Sequence, residues 1–467
     1  MITQIEIDGF KTFSDFKVEL APFQVLVGPN GSGKSNLFDA LHLLSRLAEY
    51  DLLTAFQGLR GSADDQFTKY PDGKRVDKMR FAVEMLVNRN LEDDLGRIAE
   101  LVFTRLRYVI EIALNKDANT PDQLYITYEN LEVIPQETDI WSKRYNLASS
   151  KYLLTKNEGD GHTFFSFEQK NSKIAWLDVH YLDGDGKIGD NVRIVDETHP
   201  FNPQRVKRTM LSSSALTLSL HAIAVREELH LLQLLHLNPE NLRQPSAVSN
   251  PSHLTADGGN LPTVLARMQA ENEFALTDVS LDIANLVPNL TTIELKRDDI
   301  RNEYSIWANY SDAPSISSYT MSDGTLCLLA LATITNDPEF HGILCLEEPE
   351  NSVDSLYLKR IAHLLKELAT DFTDSEQGDE PLRQVLITTH SPTFISLPEI
   401  LNSLLFAHMV TRVEPSSSGK PTMQVTEIAS VIENDNATAI SAYSLDQIKK
   451  YLDGNLLNAA RATLEKR

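Results

Sequence analysis

Residues 23–36 read FQVLVGPNGSGKSN, and this stretch decides the fold. Residues 23–27 form a short apolar run that predicts a buried strand, and apolar residues recur at helical spacing after residue 36. Between them, residues 28–35 fit the pattern G-x-x-x-x-G-K-[ST] in full. Glycines let backbone N–H groups turn inward around phosphates, and the following helix offers its positive N-terminus to the same anion. The stretch therefore predicts a strand, a phosphate-binding loop and a helix.

The loop brings together the groups that hold a nucleoside triphosphate with its magnesium ion. Lys34 is expected to reach the β and γ phosphates, and the Ser35 hydroxyl is expected to ligate Mg²⁺. We interpret the nucleotide as ATP, although no base-reading residue can be identified from the sequence. The predicted ATP-binding residues are Gly28, Pro29, Asn30, Gly31, Ser32, Gly33, Lys34, Ser35 and Asn36.

Two further strand ends carry residues suited to hydrolysis. The apolar run at 343–346 ends in Glu347 and Glu348, of which the first would hold Mg²⁺ and the second would orient or deprotonate the attacking water. His390 closes another apolar strand, QVLITTH. Polar groups at the ends of parallel strands face the crevice where ligands bind, so His390 is predicted to touch the γ-phosphate or the water.

A second anion-binding helix start is predicted at residues 322–325. Ser322 is a good N-cap for the helix predicted at 325–334, and Gly324 allows close approach of a ligand. Lys34 already marks the primary nucleotide site. The second site is therefore predicted to bind the nucleotide of another copy of the chain, and the alternative is an ordinary capped helix. The predicted residues are Ser322, Asp323, Gly324 and Thr325.

The remaining pattern divides the chain into four regions. Alternating runs between 80 and 170 predict antiparallel strands, and helical spacing at 214–237 and 261–286 predicts two helices. The end of the chain, 437–467, is a further helix candidate, with Lys449 and Lys450 on its polar side. The predicted regions are 1–90 (first half of the nucleotide-binding domain), 91–310 (a β-rich and then helical insertion), 311–412 (second half) and 413–467 (a strand and helical tail).

Composition excludes several classes of protein. The chain has 467 residues and a net charge of −23, which excludes a protein that is basic over its whole surface. Its two cysteines are too few for a disulfide framework or a four-cysteine zinc site, so a reducing cytoplasm is the expected compartment. Neither a secretory leader nor an apolar run long enough to span a membrane is recognised.

In this order the motifs resemble those of the ATP-binding-cassette (ABC) ATPases, in the branch that includes SMC heads, RecF and the OLD ATPases. IEIDGFKTF at 5–13, the phosphate loop, MSDGT, LCLEEPENSVD and ITTHSP all match, and FQGLRG with LTADGGNLPTVL narrows the likeness to stand-alone ATPases of the AAA_21 type. The resemblance implies an α/β fold: an ABC-type P-loop head, with mixed and parallel sheet and flanking helices, that carries a β-rich plus helical insertion.

The resemblance also implies a role for each matching residue. Glu347 stands where Asp is more usual, and SDGT stands in place of SGGQ in the signature. The implied roles are Walker A at 28–36, a signature acting in trans at Ser322 to Thr325, the Walker B acid Glu347, the catalytic acid Glu348, a D-loop with Ser352 and Asp354, the switch His390 and, as the nearest Q-loop candidate, Gln57.

The family mechanism is an ATP-sandwich homodimer, which can belong to a higher oligomer, and two uses of the ATP are open. One is a DNA-linked process, repair or anti-phage defence, for which the sequence offers local basic spots. The other is a nucleotide-gated scaffold for a separate effector, a nuclease or toxin, which the acidic charge favours. The chain shows no D-x-D pair after His390 for a metal-dependent nuclease of its own. The basic spots are Arg105 with Arg107, Arg205 with Lys207 and Arg208, and Lys449 with Lys450.

Overall fold

The structure is a computed structural model that describes most of the chain. The described residues are 1–92, 98–115, 123–147, 152–153, 162–171, 174–179, 192–194, 206–213, 219–251, 253–351, 353–374, 381–413, 422–432, 442–450 and 452. The helices are α1 (Lys34–Glu49), α2 (Leu52–Gln57), α3 (Ile140–Arg144), α4 (Leu220–His230), α5 (Pro239–Leu242), α6 (Leu261–Glu271), α7 (Ala275–Leu286), α8 (Asp323–Asn336) and α9 (Leu358–Leu368).

The strands begin with β1 (Ile2–Asp8), β2 (Phe16–Glu19), β3 (Phe23–Val27), β4 (Lys78–Leu86), β5 (Asn90–Glu92), β6 (Ile98–Glu100), β7 (Arg105–Asn115), β8 (Gln123–Val133), β9 (Thr163–Asn171), β10 (Ile174–Val179) and β11 (Val192–Ile194). They continue with β12 (Leu232–Leu235), β13 (Ser246–Ala247), β14 (Leu290–Asp298), β15 (Glu303–Tyr310), β16 (Ile316–Ser317), β17 (Gly342–Glu347), β18 (Arg383–Thr389), β19 (Leu404–Val413), β20 (Thr422–Ile432) and β21 (Ala442–Ser444).

A central sheet positions the predicted nucleotide loop. Its strand order is β12-β17-β18-β3-β19-β20-β21, and the first five strands run parallel to one another, whereas β20 is antiparallel to β19. Strands β3, β17 and β18 are buried over almost their whole length because helices or the second sheet cover both of their faces. The carboxyl ends of these three strands therefore meet at one edge, where the predicted α/β site is expected.

An antiparallel sheet packs against the central one and forms a second layer. Its order is β11-β10-β9-β8-β7-β4-β1-β2, which confirms antiparallel strands in the first part of the middle region. One apolar cluster joins this sheet to α1 and α4, and a second joins the opposite face of the central sheet to α6, α7, α8 and α9. Helix α1 lies in the first cluster, where its apolar stripe is buried.

Two predicted helices in the middle region are wrong in part. Of the helix predicted over 214–237, residues 220–230 are helical, but residues 232–235 form strand β12, which pairs in parallel with β17. The helix predicted over 261–286 is two helices, because Asn272 Oδ1 accepts a hydrogen bond from Phe274 N and turns the chain between them. A β14–β15 hairpin follows and packs on α7.

The C-terminal part differs from a single helix as far as it is described. Residues 442–444 form β21, and residues 445–450, which include Lys449 and Lys450, are helical. Within the described ranges, no helix has both the length and the apolar character required to cross a membrane. The predicted domain limits stay predictions, although β12 shows that the central sheet takes a strand from the 91–310 region.

Candidate active site

The loop at residues 28–35 lies between β3 and α1, as its sequence predicts. Gly31 and Gly33 have φ angles of 81° and 97°, a left-handed conformation that glycine adopts without steric cost. The Lys34 ammonium donates to the carbonyls of Gly28 at 2.7 Å and Pro29 at 3.0 Å, so the side chain folds back over its own loop. The backbone of the phosphate loop thus holds the Lys34 side chain.

Acidic residues at the end of β17 and directly after it affect the pKa of Lys34. Burial lowers the pKa of Lys34, and the negative charges of Glu348, Glu347 and Glu350 act in the opposite direction. Glu347 ends β17 and the other two acids follow it directly, more than 300 positions along the chain from Lys34. Lys34 and these acids therefore share one electrostatic environment at the carboxyl edge of the central sheet.

Glu348 is held on two sides. Its Oε1 lies 2.7 Å from His390 Nδ1, and its Oε2 accepts from Asn351 Nδ2 at 2.8 Å. Burial raises the pKa of Glu348, but the hydrogen bonds from Asn351 and His390 and the charges of His390 and Lys34 outweigh it, and the net pKa is lowered. The backbone of Glu348 has φ 47°, a left-handed conformation that is uncommon for a residue with a Cβ.

Two acidic neighbours complete this edge. Glu347 is the last residue of β17, and its Oε2 lies 3.4 Å from Nδ1 of His236. His236 directly follows β12, so three adjacent parallel strands end in Glu347, His390 and His236. Glu350 accepts a hydrogen bond from Thr389 Oγ1, and burial raises its pKa. His236 was not predicted because the residues of β12 fit a helical pattern, and Glu350 was not predicted although EEPE contains a third acid.

Two basic residues, Lys11 and Arg60, contact helix α1. Asp39 of α1 is buried, and both Lys11 and Arg60 pair with it, the latter at 2.8 Å. The bond to Asp39 raises the pKa of Arg60, and the charge of Glu347 raises it further. Arg60 lies in the segment FQGLRG, from which the sequence analysis selected Gln57 instead. Gln57 is the exposed last residue of α2, and its Q-loop role stays a prediction.

Strand β20 closes the loop from the C-terminal side. A Cβ on Gly33 would clash with the Thr426 side chain, and the Thr426 hydroxyl lies 2.7 Å from that of Thr12. Asn36 Nδ2 donates to the same Thr12 hydroxyl at 2.9 Å. The phosphate loop and the start of α1 are thus contacted by the connection between β1 and β2 and by strand β20.

The predicted signature begins helix α8. The Ser322 hydroxyl accepts from Thr325 N at 3.2 Å, which confirms the N-cap, and Asp323 is the first helical residue. Asp354 caps the short helical turn 355–357 through Leu356 N at 3.0 Å. The other predicted D-loop residue, Ser352, lies outside the described residues.

One predicted basic spot is wrong. Arg105 is 1% exposed and forms a bidentate pair with Asp139 at 2.8 and 3.0 Å, and Arg107 bonds Glu6 and Glu84. These guanidiniums bind the protein's own carboxylates and are not presented to DNA. Arg205 lies outside the described residues. Lys207, Arg208 and Lys450 are exposed and Lys449 is half-buried.

The loop, the paired acids, the histidine and the capped helix have the arrangement that is expected of an ABC-type P-loop protein. The family model for the AAA domain, putative AbiEii toxin, Type IV TA system (AAA_21) matches residues 23–396. The chain belongs to this family, and the AAA_21 resemblance expected from the motifs is confirmed.

Curated relatives are distant and share part of the chain. The chromosome partition protein Smc of Methanococcus voltae is 25% identical over 200 residues, 42% of this chain and 14% of that protein. The DNA replication and repair protein RecF of Aliivibrio fischeri (strain MJ11) is 23% identical over 197 residues, 39% of this chain and 54% of that protein. The chain thus matches about half of the RecF relative and a small part of Smc.

Solved structures with related folds include an SmcHead bound to the C-winged helix domain of ScpA. Its TM-score is 0.45 at 15% identity, covering 91% of this chain and 98% of that one. The SMC head domain from Thermotoga maritima gives a TM-score of 0.35 at 12% identity, covering 92% and 98%. Because these scores are low, the α/β assignment rests on the sheet order and on family membership.

Proposed function

We propose that this chain is an ATPase that binds ATP with Mg²⁺ and closes as a homodimer around two ATP molecules. The observation that carries the proposal is the convergence of Lys34, Glu347, Glu348 and His390 at one edge of the central sheet. Phosphoryl transfer requires mainly positioning and charge stabilisation, and these residues supply a cation, acids and a histidine in one place. Membership of the AAA_21 family supports the same activity.

The residues at this edge fit a triphosphate with Mg²⁺. Ser32 Oγ is a buried polar atom without a hydrogen-bond partner within the described part of the chain, and it lies inside the loop. Ser35 and Glu347 offer hydroxyl and carboxylate oxygens, the donors that suit a hard cation such as Mg²⁺. When bound, the ion would neutralise charge on the phosphate oxygens. Phosphates would also replace the Gly28 and Pro29 carbonyls as partners of the Lys34 ammonium.

Glu348 is the group that we assign to proton transfer. Its pKa lies below the ordinary value, so the carboxylate is ionised at neutral pH and can accept a proton from water. His390 and Asn351 hold its two oxygens and fix the direction of the carboxylate. His390 is therefore positioned to keep the base aligned.

The dimer follows from the second anion-binding element. The N-terminus of α8 is capped by Ser322, and the positive end of its helix dipole favours an anion. We assign it to the nucleotide held by Lys34 of the other copy. Contacts to the γ-phosphate would then exist only in the closed dimer, so ATP would shift the equilibrium toward closure and hydrolysis would release it.

For the use of the ATP, the described contacts favour the scaffold over the DNA-linked role. Arg105 and Arg107 are engaged in internal ion pairs, which removes one of three basic spots from an acidic chain. The family description names the domain itself as a putative toxin of a type IV toxin–antitoxin system, and the second protein of such a system is compatible with a separate protein partner. Retention on DNA with ATP that falls steeply with salt would reverse this preference, and no retention at low salt would exclude direct DNA binding.

Gel filtration of Glu348→Gln with and without ATP–Mg²⁺ tests the ATPase and the dimer together. The amide cannot accept the proton, so we expect a trapped dimer with ATP and a smaller species with ADP. Lys34→Ala in the same background is the matched control and should abolish the dimer. Calorimetry that shows no heat of ATP–Mg²⁺ binding to the unmodified chain would overturn the proposal.

A further inference from the structure

Arg243, the residue after α5, is bonded to the segment that leads into α8. Its guanidinium donates to the carbonyls of Tyr319 at 3.0 Å and Met321 at 3.4 Å, and pairs with the Asp323 carboxylate. Its own carbonyl accepts from Ser318 Oγ at 2.8 Å. Backbone and side chain of one arginine therefore both hold the turn that sets the start of α8.

Asp323 creates a charge problem at this place. As the first residue of α8 it suits the helix dipole, but it sets a carboxylate beside the N–H groups that the proposed function assigns to a triphosphate. The Asp323 carboxylate and a bound triphosphate are both negatively charged, and such charges repel each other strongly where water is excluded. The Asp323 side chain is half exposed, whereas that of Arg243 is 17% exposed and already lies against it.

The arginine is anchored from the other side as well. Asn238 caps α5 through Glu240 N at 3.0 Å, and Asn241 Nδ2 donates to Asp257 at 2.7 Å. The same short segment starts at His236, beside Glu347. Arg243 thus projects from a braced turn that begins at the central sheet.

We propose that Arg243 is a positioning residue for the signature: it neutralises Asp323 and holds it so that the N-terminus of α8 can receive the partner copy's triphosphate. This inference rests on the proposed ATP-sandwich function. It assigns Arg243 to trans recognition and leaves ATP binding by Lys34 in the same copy unaffected. Asp323, the acid of the SDGT segment, is then compatible with an anionic ligand because Arg243 already pairs with its charge.

The test compares charge variants in the Glu348→Gln background by gel filtration with ATP–Mg²⁺. Arg243→Gln keeps hydrogen-bonding capacity but removes the charge, and should weaken ATP-dependent dimerisation by about tenfold or more because Asp323 is unmasked. Arg243→Lys should retain most of it. Adding Asp323→Asn to Arg243→Gln should restore the dimer, whereas an arginine that only supports the fold would give no rescue.

Controls separate this inference from the proposed function. Binding of ADP, which is not expected to produce the dimer, should be the same by calorimetry in Arg243→Gln and in Arg297→Ala, an exposed arginine paired with Asp299. If Glu348→Gln alone fails to dimerise, the sandwich itself is wrong; if it dimerises and Arg243→Gln dimerises equally, only the role of Arg243 is wrong. If Arg243→Gln does not fold, Asp323→Asn decides, since it should tighten dimerisation, and unchanged dimerisation would overturn the proposal.

Discussion

Glu348 Oε1 and His390 Nδ1 lie 2.7 Å apart although 42 residues separate them in the chain. Each follows a strand, β17 or β18, and the two strands are adjacent and parallel. Asn351 holds the second carboxylate oxygen from its own turn. The proposed base is therefore aligned by one residue from a neighbouring strand and one from its own loop.

His390→Ala should slow hydrolysis more than it weakens binding. The variant removes one of the two partners that direct the Glu348 carboxylate, so we expect phosphate release to fall by about tenfold to a hundredfold, less than for loss of the base itself. ATP affinity, measured by calorimetry, should stay within a few fold because Lys34 is unchanged. His363→Ala removes an exposed histidine paired with Glu367 and is the control. Equal rates in both variants would contradict the assignment.

Gly33→Ala should abolish nucleotide binding and destabilise the fold. The added methyl group would clash with the Thr426 side chain, and φ 97° is strained for alanine. Gly73→Ala is a matched control, because Gly73 has φ 82° with no atom near the added methyl. Gly73→Ala should cost about 1–2 kcal/mol for the backbone strain alone. Chemical unfolding and calorimetry compare them, and similar losses in both would show that the Thr426 contact is unimportant.

Glu129 predicts a pH dependence of stability. Burial raises its pKa from 4.5 to about 7, even though Tyr108 Oη and the Met210 and Leu211 N–H groups donate to it and lower the value. Between these two values the folded state binds more protons than the unfolded state. The contribution of Glu129 to the free energy of unfolding therefore falls as pH rises from 4.5 towards 7.

Glu129→Gln should flatten that dependence. The amide does not titrate, and its NH₂ group cannot accept from Met210 N, so we also expect a loss of about 1–3 kcal/mol. Urea unfolding of both proteins at pH 5.5 and 7.5 measures the two effects. If the difference between the two pH values is the same with and without the carboxyl, Glu129 is not the titrating group.

His236→Ala should raise the Mg²⁺ requirement of hydrolysis. His236 Nδ1 lies 3.4 Å from Glu347, the carboxylate assigned to Mg²⁺, and the variant leaves that carboxylate without a partner from β12. We expect the half-maximal Mg²⁺ concentration to rise severalfold with little change in the rate at saturation. His253→Ala, which removes a histidine 3.9 Å from Glu339, should leave both unchanged. An unchanged Mg²⁺ titration in His236→Ala would contradict this role.

The sequence was sufficient to predict those parts of the fold and of the candidate site that depend on local sequence patterns. The strand before Gly28, the loop and α1 follow from spacing and glycine chemistry, and the meeting of Glu348 with His390 follows from two parallel strand ends. The N-cap Ser322 was likewise readable from local sequence.

Features that depend on pairing across the chain could not be predicted. Leu232–Leu235 is four residues long, and so short an apolar run does not distinguish strand from helix, so β12 and the position of His236 were missed. Arg105 looked like a surface cation because Asp139, its partner, lies 34 positions away on another element. The pairing of Arg243 with Asp323 could not be predicted either, because the two residues are 80 positions apart in the chain.

The left-handed backbone conformation of Glu348 reduces the stability of the folded chain. Glycine or asparagine adopts φ 47° more readily, so either substitution should relieve about 1 kcal/mol of strain while deleting the carboxylate. A substitution that raises thermal stability at this position would therefore lower the proposed catalytic activity. Selection for thermal stability alone would therefore favour variants at Glu348 that fold better but lack the carboxylate proposed to act as the base.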